Sequence, residues 1–387
     1  MTLYSAKIAD LGKIVTGKTP STKNKENFGG NIPFITPVDM SYNRNVFFTE
    51  RYVSSKGAES VKGCILPPKT VCVSCIGSDM GKSVITTRTS VTNQQINSVI
   101  VNEEHNYMYV YYLMRTLENT IKSLGKNGTA VPILSKSKFS DIDIQVHDLE
   151  SQCRIAKILS AYDDLIENNQ KQIKLLEETA QRLYKEWFVD LRFPGYENTS
   201  VVDGVPEGWE KGTIQDIVVY HDKKRKPLSG MQRAEMQGKY RYYGAAGILD
   251  YVNNYLFDGT YLLLGEDGTV ITEDGYPILQ YVTGKFWVNN HAHVLTGKQD
   301  YPTEYLYMMF KATKVRDVVT GVAQPKISQA RLSNKKTIIP NKEIVCNYCS
   351  IVSPMFEQIL TLEHQTELLK EARDRLLPKL MSGELEV

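Results

Sequence analysis

"GTAVPILS" occupies residues 128–135, and "GVAQPKIS" occupies residues 321–328. Pro132 and Pro325 stand 193 positions apart, and the same offset joins Gly128 to Gly321, Ala130 to Ala323 and Ser135 to Ser328. Self-similarity at a fixed long period decides architecture before any local pattern does, because it says that one folding unit is written twice. Carried downstream without a gap, the offset matches Ile166 to Ile359, Gln172 to Gln365, and Leu175 and Leu176 to Leu368 and Leu369. It continues through Glu178 and Glu371 to Arg182-Leu183 and Arg375-Leu376. Upstream it joins Tyr112-Leu113 to Tyr305-Leu306, but from Met1 to about Val101 the register is largely lost. The chain reads as two copies of a module-plus-helix unit, with similar helices and divergent modules.

From about Leu149 to Trp187, apolar residues recur at alternating spacings of four and three. The series is Ile155, Leu159, Tyr162, Ile166, Asn169, Ile173, Leu176, Ala180, Leu183 and Trp187, with Asn169 its one polar member. So narrow a stripe, uninterrupted by Gly or Pro, predicts a coiled-coil helix rather than a generic amphipathic one. At 1.5 Å per residue it spans about 60 Å. The matching series is Tyr348, Val352, Met355, Ile359, Leu362, Thr366, Leu369, Arg373, Leu376 and Leu380. It is less pure, and Pro354 predicts a helix that starts near that residue or kinks there. Asn169 reads either as a register-fixing polar seam residue or as a solvated residue at a bend. The stretch "RFPGYENTSVVDGVPEGWEKG" (192–212) reads as a connector. Strand-like runs stand at "TVCVSCIG" (70–77), "TYLLLGEDG" (260–268) and "GKFWVNN" (284–290), and short helices are expected within 107–124 and 303–319.

The 387 residues are too many for one ordinary core and suggest two or three domains. With 42% hydrophobic and 23% charged residues the composition is that of a soluble globular protein. No apolar window reaches the length of a membrane span, and "MTLYSAKIADLGK" lacks the pattern of a secretory signal, so a cytoplasmic location is expected. A formal charge of +2 permits nucleic-acid binding without arguing for it. Six cysteines are too few for a disulfide scaffold of this size. Cys72/Cys75 and Cys346/Cys349 have zinc-like spacing, but their strand and helix contexts favour inert buried thiols. In "GSDMGKS" (77–83) three residues separate the glycines where a nucleotide-binding loop needs four. His291 and His293 share one strand face without further evident ligands, so no metal site is expected. There is no Asp/Asn-Pro-Pro-aromatic run, no G-x-G-x-x-G, and no nucleophile with a base and orienting group, which argues for a binding protein without catalytic residues.

Several phrases then carry a family resemblance: "LYKEWFVDLRFPG" (183–195), "VPEGWEKGTIQDI" (205–217), "GEDG" (265–268) and "RLLPKLMSGELEV" (375–387). With "LGKIVTGKTPS" (11–21), "IPFITPVDM" (32–40), "YYGAAGILDY" (242–251) and "NNHAHVL" (289–295), almost the whole chain resembles type I restriction–modification DNA specificity subunits. The resemblance implies an α+β fold: two mixed α/β target recognition domains separated by two long antiparallel coiled-coil helices, with an internal pseudo-twofold repeat. The expected boundaries are recognition domain 1 over 1–148, helix over 149–190, connector over 191–205, recognition domain 2 over 206–341, and helix with tail over 342–387. It further implies a non-catalytic subunit whose domains each read half of a bipartite, asymmetric site in double-stranded DNA. The helices would dock two DNA methyltransferase subunits, and the complex can recruit two restriction (nuclease/translocase) subunits. S-adenosylmethionine, ATP and Mg would belong to those partners, with no cofactor in this chain and no membrane involvement.

For DNA contact, Lys and Arg suit phosphates, while Gln, Asn, Arg, Ser and Thr suit base edges. In the first module the candidates are Lys18, Thr19, Lys23, Ser78, Asp79, Lys82, Gln94, Gln95, Asn97 and Lys126. In the second they are Lys223, Lys224, Arg225 and Lys226 of "HDKKRKP" (221–227), with Tyr243, Asn289, Asn290, His291 and Lys326. Each has a plainer reading, as a solvated charge run or as a turn residue satisfying backbone groups. The spacer and subunit interface is assigned to Ile155, Leu159, Ile166, Asn169, Ile173, Leu176, Leu183, Ile359, Leu362, Leu369 and Leu376. Two readings from other classes compete: a coiled-coil scaffold that never touches DNA, and a stand-alone methyltransferase or nuclease.

Overall fold

The computed structural model describes residues 2–387 apart from 41–43, 126–131, 299 and 322. The chain divides into two units, Met1–Gln170 with Glu363–Val387, and Lys171–Leu362. In the first unit "VCVS" forms the strand Val71–Ser74, and all four residues are buried. Such a continuous apolar run belongs inside a structure covered on both faces. Val71 and Val73 point into a core with Tyr109, Tyr112 and other residues of the helix Tyr107–Thr116, while Cys72 faces Val15, Ile35 and Leu66. The strand lies in the middle of a five-stranded sheet ordered Gly12–Thr16, Ile96–Val101, Val71–Ser74, Ser83–Thr86, Asn45–Val46. A second sheet runs Arg51–Val53, Phe28–Ile35, Ser90–Thr92, Ile65–Leu66, with one parallel pair at its centre.

The second unit repeats this plan. Its sheet Val218–Tyr220, Ala292–Gly297, Tyr261–Gly265, Leu279–Val282 has the same strand order and antiparallel sense, with no counterpart to Asn45–Val46 among the described residues. A second sheet, Ile248–Val252, Gln237–Tyr243, Lys285–Val288, Phe257–Asp258, again has its parallel pair in the middle. The modules that looked divergent therefore share one fold. Their register slips because loop lengths differ: the offset is 206 between the turns Ile8–Leu11 and Ile214–Ile217, 196 between Ile96–Val101 and Ala292–Gly297, and 193 between Lys136–Ser140 and Gln329–Ser333. Even so, Asp10 and Asp216 accept a hydrogen bond from the backbone N–H of Lys7 and Thr213 at 2.7 and 2.8 Å, the same cap in both copies.

The long helices are Leu149–Tyr184, continued by a π-type turn at Lys185–Val189, and Lys342–Ser382. Each starts on a capping side chain one residue earlier: Asp148 accepts from Ser151 N–H at 2.9 Å and Asn341 from Glu343 N–H at 2.8 Å. The second helix does not wait for Pro354. Val345, Tyr348 and Val352, ahead of that proline, are fully buried in the second unit's core. At about 1.5–3 kcal/mol for each buried side chain, they outweigh the roughly 3 kcal/mol that an internal proline costs. Along the seam Ile155, Leu159, Ile166, Asn169, Ala180 and Trp187 are buried, as are Tyr348, Val352, Ile359, Leu362, Thr366, Arg373 and Leu380. Ile173, Leu176, Leu183, Leu369 and Leu376 are half-buried. No helix among the described residues is long and apolar enough to cross a membrane.

Within the first unit the two helices run antiparallel. Ile155 and Leu159 share a core with Leu377 and Leu380, while further along Asp163 binds Arg373 and accepts a 2.5 Å hydrogen bond from Tyr112. Burial and the Asp163 carboxylate together hold the Tyr112 phenol well above its ordinary pKa. The repeat partners of Asp163, Arg373 and Tyr112 are Phe356, Ala180 and Tyr305, all buried in the second unit's core. There the Tyr348 hydroxyl donates to the Ala180 carbonyl at 3.0 Å, and its ring packs edge-on against Tyr184 and Trp187. One unit thus closes its helix pair with ions, the other with aromatic rings. Asp163→Ala should lower stability by about 3 kcal/mol in urea unfolding, because it leaves the buried Arg373 guanidinium only the exposed Asp374, 2.9 Å away, and takes the acceptor from Tyr112. The double change Asp163→Leu with Arg373→Met should recover most of that loss.

Candidate nucleic-acid interface

The repeated phrase acts as a latch. In the first unit the Pro132 carbonyl accepts from Gly77 N–H at 3.0 Å, and Leu134 N–H donates to the Cys75 carbonyl at 3.0 Å. In the second, the Pro325 carbonyl accepts from Gly268 N–H at 3.1 Å, and Ile327 N–H donates to the Glu266 carbonyl at 2.9 Å. Gly77 and Gly268 have φ of 60° and 93°, a left-handed conformation that glycine adopts without strain. The phrase then ends on Ser135 and Ser328, whose hydroxyls accept from Lys138 and Arg331 N–H to start the helices Lys136–Ser140 and Gln329–Ser333. Gly128 and Ala130 lie outside the described residues, as does the candidate Lys126.

In the first unit the latch fixes the loop after Val71–Ser74 beside a shallow hollow. Ser78, Asp79, Asn93 and Gln95 line it together with Val38 and Arg51. Three candidates from two distant stretches, Ser78, Asp79 and Gln95, are thus brought to one place. Asn93 donates its amide to Gln95 Oε1 at 2.9 Å, orienting that side chain. Thr19 Oγ1 donates to Gln94 Oε1 at 2.8 Å, and Lys18 and Lys23 are exposed. Lys82 forms an ion pair with Asp79 at 2.6 Å. Asn97 is buried, accepting from Thr16 Oγ1 at 2.6 Å and donating to Cys75 Sγ, and so holds the strands together instead of facing a ligand. Burial pushes the Cys72 and Cys75 thiols up to about 12 and about 11, so both stay protonated at neutral pH.

In the second unit the basic run splits. Lys223, Lys224 and Lys226 are exposed, but Arg225 turns inward. Its guanidinium donates to Glu266 Oε2 at 2.6 Å and to the Ala292 carbonyl at 2.7 Å, and lies 3.4 Å from Asp222. Asn289 is buried too, accepting from His291 N–H at 2.8 Å, and Tyr243 is buried against Phe286. Asn290, His291 and Lys326 are exposed, with His291 3.6 Å from Asp267 and Lys326 3.5 Å from Glu266. His293 is buried, with Nδ1 2.6 Å from Asp222 and Nε2 2.8 Å from the Ile327 carbonyl. Asp222, Glu266 and His293 could converge on a metal ion, but Arg225 already neutralises both carboxylates, so the group reads as an internal ion network. Burial alone would raise the Asp222 carboxyl; the His293 bond and charge, the Val294 N–H and Arg225 together hold it below the usual range.

A family model described as the type I restriction modification DNA specificity domain matches residues 4–178 and again 206–371. The chain belongs to that family. The two matches end at positions separated by the repeat offset, within the two long helices. The type I restriction enzyme MjaIX specificity subunit of Methanocaldococcus jannaschii is 30% identical over 405 residues, covering 98% of this chain and 93% of its own length. The HindI specificity subunit of Haemophilus influenzae is 35% identical over 175 residues, 44% of this chain and 38% of its own. The crystal structure of a type-I restriction-modification system S subunit from M. genitalium shares the fold, with a TM-score of 0.62 at 15% identity over 98% of this chain and 96% of its own.

In this specificity-family chain, sequence reading passed over Asn93 and Arg51, which line the first hollow. Both Asn93 and Gln95 sit in the short turn between Ser90–Thr92 and Ile96–Val101, where Gln95 N–H donates to Asn93 Oδ1 at 3.1 Å, and the signal available was an Asn two residues before a Gln at a turn. Because the Asp222 value is depressed on folding, its stabilising contribution is complete above the ordinary carboxylate range. It is lost as pH falls through the depressed value. Thermal melts taken at successively lower pH should show Asp222→Asn losing less stability to acid than the parent chain.

Proposed function

We propose that the chain is the non-catalytic DNA-recognition subunit of a type I restriction–modification complex, each domain reading one half of a bipartite site in double-stranded DNA. One observation carries this reading: the same fold occurs twice, and in both copies a main-chain latch fixes a loop whose side chains differ. In the first domain Gln95 and Ser78 suit base edges, with Lys18 and Lys23 on phosphates. In the second, Asn290 and His291 stand beside Lys326, and Lys223, Lys224 and Lys226 supply sequence-independent attraction to the backbone. A coiled-coil scaffold would account for the helices but not for these paired loops.

The long helices dock the partners in this reading. Leu175 and Leu368, equivalent under the repeat, are 61% and 51% exposed. Two like apolar positions on otherwise charged helix faces fit two copies of one protein, here the methyltransferase subunits that use S-adenosylmethionine. Two restriction subunits, using ATP and Mg, complete the assembly.

Methylation-sensitive sequencing of DNA from cells carrying the chain and its methyltransferase should yield a two-part motif. Exchanging residues 1–148 for those of another family member should alter one part alone; a motif indifferent to the exchange would refute the reading. Leu175→Glu and Leu368→Glu should each leave helix content unchanged but reduce the sedimenting complex by one methyltransferase copy.

A further inference from the structure

Phe48 is the most exposed large apolar residue among those described, with 82% of its surface open, and Val38 nearby is 73% open. Phe48 lies on the connector between Asn45–Val46 and Arg51–Val53, strands that belong to different sheets of the first unit. The connector is held firmly. Glu50 N–H donates to Asp39 Oδ1 at 2.7 Å, while the other oxygen of Asp39 accepts from the Thr36 N–H and hydroxyl. Thr49 Oγ1 donates to the Arg51 carbonyl at 2.6 Å, and Thr87 Oγ1 to the Val46 carbonyl at 2.8 Å. Phe48 is thus displayed on a braced turn, and its exposure is not the mobility of a slack loop.

Two arginines accompany Phe48. Arg51 lies over the Phe34 ring at 5.1 Å and Arg88 over the Tyr52 ring at 5.8 Å; both are exposed. Among the described residues neither guanidinium is bound to a carboxylate, and Glu50, the nearest acid in sequence to Arg51, lines the same hollow as Arg51. Arg88 is tied to both ends of the connector: it follows Thr87, whose hydroxyl donates to the Val46 carbonyl, and its ring partner Tyr52 accepts from Thr49 N–H. Val38 and Arg51 border the same hollow as Ser78 and Gln95. A protein-docking patch would present a broad apolar area. Two exposed apolar side chains with two arginines that hold no carboxylate instead match a ligand with an anionic exterior and an apolar, stacked interior.

We propose that Phe48 is a wedge that enters the base stack of the duplex in or beside the half-site read by the first domain, with Val38 supporting it and Arg51 and Arg88 on the flanking phosphates. This rests on the DNA-reading function proposed above and adds to it a distortion of the DNA. In the second unit the corresponding strands Gln237–Tyr243 and Ile248–Val252 are direct neighbours joined by 244–247, and among the described residues no strand like Asn45–Val46 intervenes.

The test uses the complex with methyltransferase subunits and a duplex bearing the sequenced motif, with 2-aminopurine substituted one position at a time through both halves and their flanks. Besides any adenine that the methyltransferase subunits flip, one further position should brighten several-fold on binding. Phe48→Ala should abolish that further rise and weaken binding about tenfold, whereas Phe48→Trp should preserve both. Selective binding with no such further position, or a rise there unchanged in Phe48→Ala, overturns the wedge. A Phe48→Ala chain that fails to assemble before DNA is added assigns the residue to a protein contact and also overturns it. If the parent complex shows no preference for the motif, the DNA-reading function itself fails, a result visible without any variant.

Discussion

The core of each unit is closed by a helix from the other repeat. Leu377, Leu380 and Met381, near the chain's end, are buried with Tyr109, Tyr112 and Phe139 of the first unit. Ala180, Tyr184 and Trp187, from the first repeat's helix, are buried with Tyr305, Leu306 and Tyr348 of the second. Neither core is complete with only the residues of its own repeat. That exchange is why the helices carry so strict a seam over so many turns. Their packing belongs to the interior of both units and is not an accessory dimerisation stripe.

The two closures differ in chemistry. A buried ion pair contributes little net stability, since desolvation offsets most of its attraction, but losing one partner is severe. The site around Asp163 therefore accepts Arg373 and discriminates against an apolar side chain such as Ala180, which its own repeat places at the equivalent position. The aromatic site around Tyr348 has the converse preference, because Ala180 is fully buried among its rings and a long side chain there would displace them. Two nearly equivalent helices are thereby told apart by what each does to the other's buried partner.

The helices and the repeat were legible because their signal is dense: a seam residue every three or four positions, and one offset maintained from Pro132 to Leu183. The second helix's true start was hidden by weighing Pro354 as a local breaker, when Val345 and Tyr348 have a core to fill. The recognition modules show no common register in sequence because unequal loops shift their offset, while many of their strands, such as Asn45–Val46, Ile65–Leu66 and Phe257–Asp258, have too few side chains to mark it. Among site residues, Ser78 and Gln95 were recognisable by type but not as neighbours. Arg225 was misplaced in an exposed run because its partners, Glu266 and the Ala292 carbonyl, lie far along the chain. Phe48 gave no signal at all, since a phenylalanine beside a strand ordinarily marks a core.

The latches between Pro132 and Gly77 and between Pro325 and Gly268 consist of main-chain atoms. Closure is consequently indifferent to most side chains on the loops that follow the two glycines. Descendants of such a chain can exchange those residues, even change the loop's length, and inherit the same framework. Diversification is confined to the reading surface, and a lineage can acquire a new target without first having to rebuild the molecule that presents it.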